Sequence, residues 1–461
     1  MRAATSLAAI VAASALLAAP ALDRISAESL RANITWLAAD QRAGRMTPSP
    51  GLEASAEYIA RLFAQAGLEP GGDGGTYLQS AHFAQISPST AGFHLTLETG
   101  GRKLNVPADA ASLHALSAFD YQSANVLKLP RTGPLPSMVG KIVVGDQAWE
   151  APAELRKLES RKPALIVLSI AEETPADSST LVETDSFVPI LRIHSRAAAE
   201  LLNSGSETKL TLHAPAPVRH DVTLHNVAGI LRGADPVLRD QFVILSAHYD
   251  HLGVKPPGLG NRIYHGANDN ASGAASLVEI AKAVGGGAER PRRSVLFLAV
   301  FGEEEGLLGS AYYVRHPPVP LDHTIADINL EQLGRTDSSD GPELARFAFT
   351  GPSYSDLPRT MAAAAKTAGV TVYRKETADE YFDRSDNYSF AAAGIVAHTI
   401  VVAFEFPGYH EVNDEADKLD YRNLVKVDRA IAAGLESVAD SPVPPKWSDT
   451  KAAQPYRAAA R

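Results

Sequence analysis

The sequence contains no cysteine among its 461 residues. Disulfide bonds are therefore excluded, and so is a lipid anchor attached through a cysteine, which means that stability must come from a large core. Basic residues are also in the minority, since 43 Lys and Arg stand against 53 Asp and Glu, giving a formal net charge of −10. With no basic patch in the chain, this balance argues against a nucleic-acid partner.

The first 21 residues have the composition of a secretory signal peptide. Arg2 gives a positive start, residues 7–17 are apolar, and Ala19-Pro20-Ala21 offers a cleavage site of small residues. An uncleaved anchor is the alternative, although this apolar run is short for a membrane span. We expect a periplasmic or secreted protein with no membrane attachment after cleavage.

Residues 295–301 form a continuous apolar run that predicts a strand buried on both faces of a parallel sheet. Gly302 and three glutamates, 303–305, follow at once. In an open α/β sheet the loops beyond the carboxyl ends of the strands form the ligand crevice, so these glutamates would face a site. A solvated first turn of a helix would also favour them and remains the alternative at this point.

Further metal-capable residues follow other predicted strands or lie in loops. His248 comes after a strand at 242–246, and Glu331 comes after one at 325–330. Asp269 and His410 lie in loops. Asp269 could simply cap the helix that follows it, and His410 could be an ordinary polar loop residue. Because one crevice can collect several strand ends, the joint pattern favours a site. Imidazole and carboxylate ligands without thiols suit two zinc ions that share a carboxylate.

The order of the predicted elements divides the chain into domains. From residue 226 strands and helices alternate, which predicts an α/β fold with a doubly wound, mostly parallel mixed sheet and helices on both faces. Between 105 and 218 prolines and short buried strands predict a smaller, β-rich inserted domain. The predicted core domain therefore comprises 26–104 and 219–440, and the Pro- and Ala-rich residues 441–461 are predicted to be a loose tail.

Five stretches together resemble the co-catalytic zinc aminopeptidase family, which includes bacterial leucyl aminopeptidase, the membrane glutamate carboxypeptidase and glutaminyl cyclase. They are SAHYDHLG at 246–253, GANDNASG at 266–273, GEEEGLLGS at 302–310, INLEQLGR at 328–335 and YHEVNDEADKLDY at 409–421. The resemblance extends over about 26–440. It also covers the block at 105–218, which is similar to the protease-associated domain that such enzymes often carry.

The resemblance implies two zinc ions per chain and a role for each candidate residue. Asp269 would bridge the ions, with His248 and Glu331 on one of them and Glu304 and His410 on the other. Glu303 would be the general base, and Tyr409 would donate a hydrogen bond to the oxyanion. Asp250 would orient the ring of His248. The resemblance further implies a cis peptide bond between Asp269 and Asn270.

The sequence departs from the family pattern at two positions. Glu331 stands where members often have Asp. The glutamate side chain is longer but carries the same charge. Asn387 stands where many relatives have His, which puts the lining of the pocket in doubt.

The predicted function is that of an exported zinc exopeptidase, an aminopeptidase that acts on peptides or small aminoacyl compounds. Zinc would activate a shared water, and Glu303 would accept its proton. The alternatives are a glutamate-carboxypeptidase-like activity, a glutaminyl-cyclase-like activity, or a receptor-like protein without catalysis. A carboxypeptidase would need a cation facing the substrate carboxylate, for which the candidates are Arg335, Arg374 and Arg384.

Overall fold

A computed structural model of the chain describes residues 21–87, 89, 91–170, 180–185, 187–204, 207–287, 289–339 and 341–460. The predicted signal segment lies outside these ranges except for its last residue. The chain divides into two compact units. The larger unit contains the residues up to Ala81 and those from Leu224 onward, and the smaller unit is His82–Thr223.

The larger unit is built on a mixed sheet whose central strands are parallel. In spatial order the strands are Thr371–Val372, Arg346–Phe349, Val396–Val401, Thr324–Glu331, Phe242–His248, Ser294–Val300 and Val218–Leu231. The four strands from 396–401 to 294–300 are mutually parallel, and 346–349 and 218–231 flank them in the antiparallel direction. A short edge strand, Glu69–Pro70, pairs with residues 229–230.

The central strands are buried along almost their whole length. Every residue of Phe242–His248, Ser294–Val300 and Val396–Val401 is buried. This is the environment that a continuous apolar run predicts, because helices cover both faces of such a sheet. The predicted fold class is confirmed.

Three helices of the larger unit begin at recognisable capping residues. Ser26 and Ser49 each accept a hydrogen bond from a backbone N–H in the first turn of the helix that follows, and Asp420 accepts two. The α-helices are Ala27–Leu37, Pro50–Gln65, Gly273–Gly285, Leu308–Arg315, Leu357–Thr367, Asn387–Ala392, Tyr421–Asp440 and Gln454–Ala459.

The smaller unit contains an eight-stranded mixed sheet. In spatial order its strands are Arg102–Val106, His94–Thr99, Thr208–Ala214, Phe119–Lys128, Ile142–Asp146, Leu165–Ile170, Ile190–His194 and Ala111–His114. Its helices are Pro152–Glu159 and Arg196–Leu202, and residues of Leu78–Ser87 pair with Thr180–Glu183. The unit begins at residue 82 rather than at 105, because strands 94–99 and 102–106 belong to its sheet.

The C-terminal segment differs from the predicted loose tail. Trp447 is only 9% exposed, and its indole N–H donates to the carbonyl oxygen of Gly394 at 2.9 Å. The ring of Tyr456 lies 5.3 Å from that of Trp447 and 5.1 Å from that of Phe382. Aromatic packing therefore holds this segment on the larger unit, which a composition rich in Pro and Ala does not reveal.

No helix in the described ranges combines the length and the apolar composition needed to cross a membrane.

Candidate metal centre

Three parallel strands end at the same edge of the larger sheet and place the acidic cluster there. His248 is the last residue of its strand and pairs in register with Val300, just before the Gly302 turn. Glu331 ends the strand on the other side of 242–248. Because parallel neighbours end together, residues that are far apart in sequence meet at this edge.

The turn at 267–272 presents Asp269 to the cluster. The bond between Asp269 and Asn270 is cis, as predicted. Asp414 accepts hydrogen bonds from the backbone N–H groups of Asn268 and Asp269 at 3.0 Å. Asn268 in turn accepts N–H bonds from Gly334 at 2.7 Å and Arg335 at 2.9 Å, so the turn is fixed to the segment that follows Glu331.

The two oxygens of Asp269 face different histidines. Oδ1 lies 3.5 Å from Nε2 of His248, and Oδ2 lies 3.2 Å from Nε2 of His410. Glu304 Oε2 is 3.4 Å from the same atom of His410. Two sets of side chains bring ligand atoms close enough to share an ion: His248 with Glu303 and Glu331, and His251 with Asp269 and Glu304.

Asp250 contacts both the strand end that carries His248 and the turn that carries Glu303 and Glu304. Its Oδ1 lies 3.4 Å from Nδ1 of His248 and accepts the backbone N–H of Glu303 at 3.1 Å. Its Oδ2 accepts the N–H of Glu304 at 3.3 Å and a bond from the Thr47 hydroxyl at the same distance. One buried carboxylate therefore lies beside the His248 ring and holds the turn that carries the glutamates.

The electrostatics show an excess of negative charge. Burial raises the pKa of Glu331 to about 7 and also raises that of Glu303 well above its usual range. Burial works against the charge of Asp269, but the two neighbouring histidines hold its pKa well below the ordinary value. Burial likewise opposes the charged form of His248, yet the carboxylates around it raise its pKa. A cation at this position would relieve the repulsion.

The donor set fits a metal. Both ring nitrogens of His248 are buried, and in the described part of the chain neither makes a hydrogen bond. Buried polar atoms rarely lack a partner unless a water or an ion supplies one. Imidazole and carboxylate donors, with no thiol available in the sequence, match the preferences of zinc.

The cluster opens into a cavity of about 350 Å³. Glu303, Glu331 and His410 line it on the metal side, together with Tyr409, which is 42% exposed and stacks on the His410 ring at 4.0 Å between centroids. The other walls are a mixture of apolar, hydroxyl and charged side chains: Val401, Phe404, Phe406, Thr350, Thr399, Ser385, Tyr381, Glu405 and Arg384. A chain end of a peptide fits a cavity of this size.

The predicted arginines lie in different places. Arg384 lines the cavity with its guanidinium 4.9 Å from the centroid of Tyr381, and it has no acidic partner within the described ranges. Arg335 is buried and bonded to Asp337, so it does not face the cavity. Asn387, at the position of the family histidine, is also buried, and it accepts a bond from the Thr399 hydroxyl at 2.7 Å.

Sequence reasoning missed three residues of the centre: His251, Asp414 and Arg45. His251 lies 2.7 Å from Glu304 through its Nδ1. Arg45 is fully buried and donates to four backbone carbonyls around the cluster, those of Leu37, Tyr249, His265 and Gly266. The second histidine of the HYDH stretch was a visible signal for His251, whereas nothing local marked the other two.

Comparison with known proteins finds a family match within the larger unit. Residues 226–435 match the profile described as Peptidase family M28. The matched segment contains every predicted metal ligand, so the part of the chain that resembles this family coincides with the metal cluster.

Similar proteins extend the match beyond this segment. Aminopeptidase YwaD of Bacillus subtilis (strain 168) is 23% identical over 361 residues, covering 76% of this chain and 74% of that protein. Aminopeptidase NAALADL1 of Mus musculus is 36% identical over 133 residues, which span 28% of this chain and only 16% of that protein. A solved structure, the aminopeptidase from Aneurinibacillus sp. strain AM-1, shares the fold with a TM-score of 0.51 and 19% identity, covering 90% of this chain and 94% of its own.

Proposed function

We propose that the protein is a zinc-dependent aminopeptidase that holds two zinc ions and uses Glu303 as its general base. The observation that carries the proposal is the position of Asp269 between two histidines, with one oxygen directed at each. A carboxylate that faces two donor sets in this way suits a bridge between two ions. The two relatives described above are both named aminopeptidases.

We divide the remaining donors between the two proposed ions. His248 lies nearest Oδ1 of Asp269 and forms one set of ligand atoms with Glu331 and Glu303, whereas His410 lies nearest Oδ2 and close to Glu304. When bound, a pair of zinc ions lowers the pKa of a water and polarises a substrate carbonyl. Because two other carboxylates and two histidines suffice as ligands beside the bridge, Glu303 is left free for proton transfer.

The protein side chains then handle the proton and the developing charge. Glu303 borders the cavity, with its Oε2 4.0 Å from His248 Nε2. It would accept a proton from the attacking water and return it to the leaving amine. The Tyr409 hydroxyl, on the same cavity wall, would donate to the carbonyl oxygen as negative charge builds there.

The metal content tests the proposal directly. Zinc-loaded protein is expected to retain about two zinc ions per chain after dialysis, as measured by elemental analysis. Asp269→Asn keeps the shape of the bridge but removes its charge, so both ions should bind more weakly. Asp322→Asn is the matched control, since this exposed acid lies just before the amino end of the strand that carries Glu331. Protein without zinc and with activity indifferent to chelators would contradict the assignment.

The end of the peptide that is recognised is tested with blocked substrates. A free α-ammonium group can form charge-assisted hydrogen bonds with the carboxylates that line the cavity. N-acetylation of a leucyl-anilide removes that charge, and we expect kcat/KM to fall by about 10²-fold or more. Comparable hydrolysis of the free and acetylated anilides would count against an aminopeptidase.

Arg384 supports a carboxypeptidase as the second candidate function. Its guanidinium lines the cavity and has no acidic partner in the described part of the chain, so it could pair with a substrate carboxylate. In that case amidation of the C-terminal carboxylate of a dipeptide would abolish hydrolysis and N-acetylation would not. The same set of blocked substrates therefore separates the two activities.

Two further assignments belong to this proposal. We propose that residues 1–21 direct export, which would place the enzyme in the periplasm or outside the cell. The smaller unit would be a protease-associated domain, in keeping with its mixed sheet and the position of its sequence between the two parts of the larger unit.

A further inference from the structure

His251 lies inside the metal centre although no predicted role uses it. It follows His248 by three positions, and its side chain is completely buried. Its Nδ1 is 2.7 Å from Oε1 of Glu304. We propose that His251 is a positioning residue: it donates this hydrogen bond to Glu304 and thereby reserves Oε2 for the ion shared with His410. The inference rests on the proposed dizinc function.

The two oxygens of Glu304 have different surroundings. Oε1 is engaged by His251, and Oε2 lies 3.4 Å from His410 Nε2, on the side where Asp269 Oδ2 also lies. An ionised carboxylate only accepts hydrogen bonds, so the Nδ1 atom must carry the proton. Rotation of the carboxylate would break this bond. His251 therefore selects one orientation of the ligand.

The tautomer of His251 follows from the surroundings of its other ring nitrogen. Nε2 of His251 is buried and makes no hydrogen bond in the described ranges. A proton on that atom would be a buried donor without a partner, which is costly. The tautomer with its proton on Nδ1 satisfies Glu304 and avoids that cost, and a hydrogen bond from an outer residue is a common way of fixing the direction of a ligating carboxylate.

The ring is held in place from several sides. Gly266 has φ of 55°, and a Cβ atom there would lie 2.5 Å from Cγ and Cδ2 of His251. Tyr264 and His410 contact the ring edge-on, with centroids 6.4 and 5.8 Å away. The backbone N–H of His251 donates to the carbonyl oxygen of Arg45 at 3.3 Å. The imidazole is therefore preorganised before any ion binds.

Three substitutions separate positioning from packing. His251→Asn keeps an N–H donor near the position of Nδ1, His251→Gln moves it toward the position of Nε2, and His251→Leu removes it. The matched control is His265→Leu, since His265 is also buried and its Nε2 lies 2.9 Å from a carboxylate, that of Asp40, which belongs to neither set of candidate ligands.

Calorimetric titration of the metal-free protein with zinc gives the readout. We expect His251→Leu and His251→Gln to weaken one of the two binding steps by about 10–100-fold, the same step that Glu304→Gln weakens. His251→Asn should stay within a few-fold of the wild type, and His265→Leu should leave both steps unchanged. Should His251→Leu fail to fold, the Asn and Gln pair decides the question alone.

Each other outcome overturns the inference. Unchanged zinc affinities in His251→Gln would leave the residue with a packing role only. Equal losses in His251→Asn and His251→Gln would mean that the imidazole itself is required, as for a direct ligand. Failure of the wild type to bind two ions would instead overturn the proposed function, which keeps the two failures distinct.

Discussion

Replacing Glu303 with glutamine is expected to lower kcat by at least about 10²-fold while both zinc ions stay bound. Glutamine keeps the shape of the side chain and its backbone N–H bond to Asp250, but it cannot accept a proton. Because the proposed ligands of both ions lie elsewhere, the metal content should not change. The turnover of a leucyl-anilide and the zinc content of the same preparation provide the two measurements.

Glu304→Gln is the matched companion because it changes the adjacent residue in the same way. Its carboxylate lies between His251 and His410, so its loss should weaken one zinc ion rather than remove the base. Activity of this variant should return at high zinc concentration, whereas that of Glu303→Gln should not. The opposite pattern would mean that the roles of the two neighbouring glutamates are exchanged.

The positions of the main site residues were predictable from the sequence because these residues lie at the ends of strands. Continuous apolar runs located the strands that end near His248, Gly302 and Glu331 to within about two residues of their observed ends. Parallel strands that are neighbours in a sheet end together, so the residues that follow them must meet. Helix starts were visible where a capping residue marks them, as Ser26 does.

The supporting residues were not predictable because they act over long separations. Asp414 holds the backbone at Asp269 across 145 positions of the chain, and no local pattern in either segment announces the contact. Trp447 is similar, since its burial depends on strands and loops that are distant in sequence. Local composition reports which segments are apolar or flexible on average, whereas these contacts follow from the assembled fold.

The buried Arg45 shows how far such support extends. Its guanidinium donates to Tyr249 O at 2.8 Å, beside the ligand His248, and to Gly266 O at 2.9 Å, at the start of the turn that carries Asp269. Burial lowers its pKa to about 10, while nearby carboxylates stabilise its charge. One side chain from the N-terminal segment therefore fixes the two backbone segments that present opposite sides of the metal centre.

Arg45→Met is accordingly expected to lower the free energy of unfolding by about 3–5 kcal/mol. Methionine fills much of the volume, but it leaves four buried carbonyls without donors and several buried carboxylates without a countercharge. Arg45→Lys should lose nearly as much, because a single ammonium cannot reproduce the planar fork. Zinc affinity should fall in both variants, since His248 and Asp269 lose their shared support.

Urea unfolding followed by tryptophan fluorescence measures this effect, with Trp36 and Trp447 reporting on the larger unit. The matched control is Arg61→Met, because Arg61 is exposed on a helix, with its guanidinium 5.6 Å from the centroid of the Tyr58 ring. Its loss should cost no more than about 1 kcal/mol. If Arg45→Met lowered the free energy of unfolding as little as this control, the N-terminal segment would pack over the metal centre without supporting it. A loss of stability several times larger would show that the N-terminal segment is part of the structure that positions the proposed ligands.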